Sequence, residues 1–584
     1  MKESVVSSDI STGKALKSSA WTRWLPLLLI WLAAFGLRLA LSQANRVVWG
    51  DEPFYLWLGR NWITGHGYSF VGHPDVHHGP LFPMLAGLLY LLTHDMALSS
   101  EIIYAIFGAL LVLPVYAIGC EVYDKCLGLA AAALTAVFPA LTVSILHWGT
   151  MTEPVYMFFV YVGLWAGLVL LRPCWSARDK AGAGEHKDPW WAYAMAGLAF
   201  GLAYLTRPEA IGYFVIGAIF CLLLRLLNKQ LREGRFWLKL ILYVIGFGVA
   251  FLPYAYYVHG QTGAWMVSEK IGVAYLTGVG LAHGDTAAFD RSTWGLDSTG
   301  LETFFFSSES YNVSMLSLVM DDPKTFIGIV YMNMLRFAKV LIDWTLFPYV
   351  LMPLAALGLL GRSWNRERAL KEAYLIASIL PVLGFTLFYI QARYIVPFIP
   401  VLILWTACGL RVLSDWLIGT ANKLHEPEDA PESEGLSPSW HMSSTWRSIC
   451  EIGPAVLLVI GLLAAHPYVL QKVTDVGSVS VEHKFVGEYL GGIADRDTVI
   501  MCRYPAIAFH ADTAWVPTPN APLPEVLKYA RHKGADYFVI DARELSYRPQ
   551  FKDLVTGEHA PESLQLVRVI DSGDERLVVL QVVD

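Results

Sequence analysis

The chain has 584 residues, 55% of them hydrophobic and 16% charged, whereas soluble domains carry about 25% charged residues; this excludes a soluble globular protein and fits one that crosses a membrane many times. The net charge of −7 is spread along the chain, so nothing points to a nucleic-acid partner. Seven cysteines form no C-x-x-C pair, so neither a disulfide framework nor a zinc knuckle is implied.

Apolar runs near the length of about 20 residues that a spanning helix needs fall at 24–42, 101–119, 127–146, 154–171, 190–207, 210–227, 237–258, 338–360, 372–390, 394–415 and 452–470. They predict a mainly α, polytopic membrane protein with about 11 transmembrane helices. The first run is too long for a signal-peptide core and lacks a small-residue cleavage site, so it reads as a retained anchor. Lys14, Lys17 and Arg23 precede it and put the N-terminus in the cytoplasm. A further run at 80–92 is too short to cross comfortably. If it does not cross, the basic stretches 172–187, 225–239 and 362–371 all fall on the cytoplasmic side with the N-terminus. The outer face then receives a first loop, 43–100, a short loop around Thr150 to Glu153, the turn Thr206-Arg207-Pro208-Glu209, a long loop, 259–336, and Gln391-Ala392-Arg393-Tyr394.

Residues 416–450, with Glu426, Glu428, Asp429, Glu432 and Glu434 among prolines and serines, read as a flexible cytoplasmic linker. The division expected is a transmembrane domain over 1–475 and a small external α/β soluble domain over 476–584. In the latter, helices are predicted at 484–493 and 523–533 and strands at 497–502, 536–541, 564–570 and 576–583. No nucleotide fingerprint interrupts it: Gly487, Gly491 and Gly492 do not follow a strand in the required order.

Asp51 and Glu52 stand side by side in the first outer loop. Charged groups at a membrane boundary tend to mark substrate or ion pathways, which makes this pair the candidate catalytic centre. The alternative is a solvated acidic loop. Trp49-Gly50-Asp51-Glu52-Pro53-Phe54-Tyr55, then His77-His78-Gly79-Pro80-Leu81-Phe82-Pro83, then Thr152-Glu153-Pro154 form an ordered set. It resembles the polytopic GT-C glycosyltransferases that use polyprenyl-phosphate sugars, specifically the protein O-mannosyltransferases and the lipid A aminoarabinose transferases. Glu153 stands where that family often has Asp.

The resemblance implies an integral inner-membrane enzyme that moves a sugar from a polyprenyl-phosphate donor to a protein, lipid or polysaccharide acceptor at the external, periplasmic face. It assigns Asp51 as the base. Glu52 would orient the acceptor or hold Asp51's neighbours, and Glu153 would share a proton or help to bind a divalent cation. An ordinary helix-start carboxylate explains Glu153 as well, since Pro154 follows it. Arg207 and Arg393 are the expected donor-phosphate ligands, because guanidinium offers a planar fork of donors at fixed charge; interfacial snorkelling is the alternative. Tyr394 adds a hydroxyl, or belongs to an aromatic belt. His77 and His78 are expected at the acceptor or loop. With His73 and Asp75 they offer enough ligands for a metal, but in no established spacing.

Trp190-Trp191-Ala192-Tyr193 resembles the Trp-Trp-Asp-Tyr signature of oligosaccharyltransferases, yet it lacks the Asp and starts a helix on the cytoplasmic side. The rival function is a transporter or lipid flippase, which would carry charge within several spans near mid-membrane. The interiors of spans such as 101–119 and 127–146 carry none.

Overall fold

In lipid every backbone polar group must be satisfied within the chain, so apolar runs become helices. In a computed structural model of the protein, the described residues are 20–43, 47–175, 190–424 and 444–583, apart from 230, 231, 233, 269, 313, 477–480, 559, 573 and 574. Among them, 8 helices are long and apolar enough to cross a membrane, and a pair bent by 62° makes up to 9.

Helix α1 (Ala20–Gln43) is followed on one face by α2 (Glu52–Ile63), the hairpin β1 (Ser69–Phe70) and β2 (His73–Pro74), and α3 (Leu81–Thr93). Helices α2 and α3 touch through glycine: a Cβ on Gly59 would meet the Pro83 carbonyl at 2.5 Å, and one on Gly87 would meet that of Gly59 at 2.5 Å. Gln43, ending α1, bonds Glu101 near the start of α4 (Met96–Leu110) at 3.1 Å. The end of α1 and the start of α4 therefore lie at one end of the bundle, and α3, at 13 residues, is shorter than the candidate spans.

Next come α5 (Val112–Val122), α6 (Lys125–Val137) and α7 (Val143–Leu146), with the bend at Phe138-Pro139. Pro139 has no N–H for the Thr135 carbonyl. Arg38 of α1, fully buried, supplies donors instead: it bonds the Thr135 carbonyl at 3.2 Å and that of Ala136 at 2.9 Å.

Helices α8 (Glu153–Trp175), α9 (Trp190–Tyr204), α10 (Ala210–Leu227) and α11 (Gly234–Thr262) continue the bundle. The long loop holds α12 (Lys270–Ala282), α13 (Ala288–Trp294), α14 (Met315–Asp321) and α15 (Pro323–Leu341). A single span at 338–360 is not what forms. Asp343 accepts bonds from the Thr345 amide and hydroxyl at 2.8 and 2.6 Å, making a turn that competes with helix, and Pro348 follows. The helix resumes only at α16 (Met352–Leu360). The run 372–390 does fall in a candidate span, Arg366–Leu387, made of α17 (Arg366–Ala377), α18 (Leu380–Leu383) and a 3-10 turn, Gly384–Leu387. Helices α19 (Ala392–Ile395), α20 (Ile399–Leu424) and α21 (Ser444–Val476) complete the bundle. The last two extend into both ends of the expected linker; its acidic core lies outside the described residues.

Ion pairs separate the two faces. Arg393 meets Asp51, and Arg207 meets Glu153. At the opposite helix ends Glu121 meets Arg172 and Lys371, and Arg366 bonds Asn228 at 3.0 Å. The stretches expected to share the face away from Asp51 do so wherever they are described.

After α22 (Val481–Gly491) the chain forms β3 (Val499–Cys502), α23 (Ala506–Ala511), β4 (Ala514–Pro517), α24 (Leu523–His532), β5 (Tyr537–Asp541), α25 (Lys552–Thr556), β6 (Leu564–Ser572) and β7 (Glu575–Val582). The sheet order is β4-β3-β5-β7-β6, with β3 parallel to both neighbours and β7 antiparallel to both of its own. This α/β module rests on the Asp51 face. Phe54, Trp57 and Phe70 pack with Trp294 and Trp515 in one core. Asp290 of α13 takes Arg503 at 2.6 Å, Arg548 at 2.7 Å and Asn520 at 2.9 Å.

Candidate active site

Gly50, at φ +62°, turns the chain so that Asp51 becomes the N-cap residue of α2, with Pro53 in the first helical turn. The Asp51 carboxylate makes no capping bond. It faces Arg393, whose two terminal nitrogens both lie 3.3 Å from one of its oxygens. Neighbouring helical residues diverge by about 100°, and Glu52 goes the other way. Its side chain is buried and accepts the Thr150 amide at 3.1 Å as well as the Thr150 hydroxyl. Gly149, at φ +100°, lies against it, and a Cβ there would meet a Glu52 oxygen at 2.9 Å. Glu52 thus ties the first outer loop to the second.

The second pair is tighter. Glu153, in the first turn of α8, takes Arg207 at 2.7 Å, and Arg207 also bonds Glu209. Tyr394 joins the two pairs: the Arg207 and Arg393 guanidinium carbons lie 5.5 and 5.4 Å from its ring centroid, within cation–π range. Its hydroxyl is 3.1 Å from that of Tyr389. Trp148 flanks Arg393 at 5.5 Å. Burial pushes the Asp51 carboxyl up, but Arg393, Lys270 and His78 together pull it below its ordinary value.

Two residues near this centre were missed by sequence reasoning. Tyr55, in α2, lies within electrostatic reach of Asp51, Glu153, Arg207 and Arg393; burial, then the two carboxylates, push its hydroxyl up, so it remains a donor. Lys270 approaches Asp51 and His78 from the long loop. Tyr55 stood inside the acidic motif, but nothing in the spacing of the long loop marks Lys270.

The histidine loop does not converge. His78, buried, bonds Asp75 through Nδ1 at 3.1 Å, and its own amide reaches Asp75 at 2.8 Å. Burial first, then Lys270, lower the His78 pKa despite Asp75. His77 stacks on Phe305 at 4.0 Å between centroids, and His73 pairs with Glu302 at 3.3 Å. Among the described residues no three His, Cys, Asp or Glu side chains come together to hold a metal ion. Trp190 and Trp191 begin α9 at the end of the bundle away from Asp51, where Trp191 packs with Trp165.

No family model and no curated protein matches the chain. Solved structures do. The archaeal oligosaccharyltransferase AglB from Archaeoglobus fulgidus, in complex with an inhibitory peptide and a dolichol-phosphate, superimposes with TM-score 0.53 at 16% identity, over 90% of this chain and 70% of that one. The same enzyme in complex with Zn and sulfate gives TM-score 0.53 at 15% identity, over 89% and 68%. ArnT from Cupriavidus metallidurans, in the apo state, gives TM-score 0.53 at 14% identity, over 96% of this chain and 98% of that one. The chain has the GT-C fold of these membrane glycosyltransferases.

Proposed function

We propose that the protein is an integral membrane glycosyltransferase that moves a sugar from a polyprenyl-phosphate donor to an acceptor hydroxyl at the external face, over which residues 476–584 form a domain. The observation that carries this reading is the cluster at the bundle's Asp51 end, where an open carboxylate, two arginines and a tyrosine lie together beside the ends of the spanning helices. That position suits a donor whose tail stays in lipid while its phosphate and sugar face water. The fold shared with AglB and ArnT supports it, as does the dolichol-phosphate held by one of those neighbours.

Asp51, ionised and partly open, takes the proton of the acceptor hydroxyl as that oxygen bonds to the anomeric carbon. The bond from that carbon to the phosphate oxygen breaks, its electron pair stays on the lipid phosphate, and Arg393 stabilises the charge. We assign the phosphate to Arg393 rather than Arg207, because two carboxylates already hold Arg207. Arg207 then serves to position Glu153 and Tyr394. One neighbour's complex contains Zn; here Asp51 and Glu153 are each engaged by an arginine, a poor fit to a divalent cation, and no step runs through one. The test is transfer of labelled sugar from a polyprenyl-phosphate donor by the reconstituted protein. Transfer is expected from the wild type and not from Asp51→Asn; equal rates in both would overturn the reading.

A further inference from the structure

Between α2 and the edge strand β4 lies a cleft of about 660 Å³ that no step above uses. Among its lining side chains, Arg60, Arg496 and Lys533 are cationic and Asp512 is the one carboxylate; Lys533 is already paired with Glu302, so the excess of positive charge rests on the two arginines. Arg60 and Arg496 share that carboxylate at 2.7 and 3.3 Å, and Arg496 is 88% exposed. A locally positive cleft in a chain of net charge −7 focuses anions.

One residue lining it holds costly backbone: Val71 sits at φ +54° beside Gly72 at φ +78°, at the tip of the β1–β2 hairpin. A β-branched residue in the left-handed region is a genuine outlier, and such strain gathers at ligand sites.

Strand β4 is a poor template for an added peptide strand. Its Ala514 amide turns to β3, bonding the Thr498 carbonyl, so by strand alternation the backbone groups of Trp515 and Pro517 are the ones turned away from β3, and proline has no N–H to give. Asn61 and Thr64 add neutral polar groups beside the cations, the mixture that hydroxyl-rich, negatively charged sugars require. Arg60 lies nine residues along α2 from Asp51, about 13 Å at the helical rise.

We propose that this cleft binds an anionic saccharide and holds the acceptor for transfer at Asp51; the second part rests on the function proposed above. The probe is a short oligogalacturonate, titrated against the full-length protein in detergent without donor, beside a neutral maltodextrin and an oligoglutamate peptide. The uronate is expected to bind, more weakly as salt is added, and the other two are not. Arg496→Glu removes the most exposed cation and Ala514→Trp fills the cleft while keeping every charge; each is expected to lower affinity at least about ten-fold. Equal binding by wild type and both variants, or equal binding of the maltodextrin or the peptide, overturns the proposal. In transfer assays with a uronate acceptor, both variants are expected to raise the acceptor KM and leave donor KM unchanged; an unchanged acceptor KM overturns the acceptor role. Because binding is read without donor, uronate binding without any transfer would refute the reaction and leave the saccharide site standing.

Discussion

The bundle carries a carboxylate cluster at each end, and the two are built differently. Away from Asp51, the Glu372 side chain is 0% exposed and accepts the Tyr123 hydroxyl at 2.6 Å and the Trp405 indole at 2.9 Å, with Arg368 at 3.6 Å. At the other end Asp51 is 46% exposed and its contacts with Arg393 are 3.3 Å long. A buried, well-bonded carboxylate holds helices together, and breaking it costs stability. A carboxylate left open, with long contacts to an arginine that Gln391 and two aromatic rings hold in place, can exchange that partner for substrate.

The sharpest way to break this contrast is Asp51→Asn, which keeps the shape and removes the proposed base. Transfer is expected to fall by about 10²–10⁴, with membrane insertion and thermal unfolding unchanged. Glu372→Ala is expected to do the reverse. It should lower stability by about 3–5 kcal/mol, seen in thermal unfolding in detergent, while turnover per folded molecule stays near wild type; a catalytic defect without a stability loss would erase the distinction. Arg393→Lys retains charge and loses the planar fork, so donor KM is expected to rise by about ten-fold or more, whereas Arg207→Lys should leave donor KM nearer wild type. Equal donor effects would return the phosphate to both arginines.

The smallest effect is in pH. A base whose pKa is depressed stays deprotonated further into acid, so Asp51, held below 3.8, moves the acid limb of kcat/KM down. His78, held below 6.5, likewise stays neutral near pH 7. The profile is therefore expected to be flat from about pH 5 to 8 for Asp51; an acid limb within that range that Asp51→Glu shifts would show that Asp51 is not held low, and one that Asp51→Glu leaves in place would assign the titration to another group.

Much of this arrangement was legible in the sequence. Basic stretches marked one face, an acidic motif and two boundary arginines marked the other, and periodicity with turn residues located α22, α24, β3, β5, β6 and β7, while the short helices α23 and α25 were not read. Strand β4 escaped because four residues ending in proline make a weak strand signal. Hydropathy ran through the turn at Asp343–Pro348 because its flanks are apolar. The opposite fates of Asp51 and Glu52 could not be read, since they depend on which way a helix start rotates each side chain and on Gly149, nearly a hundred residues away. Lys270 reaches the site only through tertiary folding of the long loop.

Arg38 sets a problem of time. Its carbonyl partner on Ala136 lies 98 residues further along the chain, and at synthesis rates of about 5–20 residues per second that partner emerges roughly 5–20 s later. For that interval the guanidinium in the first span has the Ala34 carbonyl of its own helix but not those of Thr135 and Ala136, at a cost of up to about 2.5–3.5 kcal/mol if it reaches the span's centre. The first helix is therefore best retained beside the insertion machinery, and released into lipid once α6 has arrived and bent.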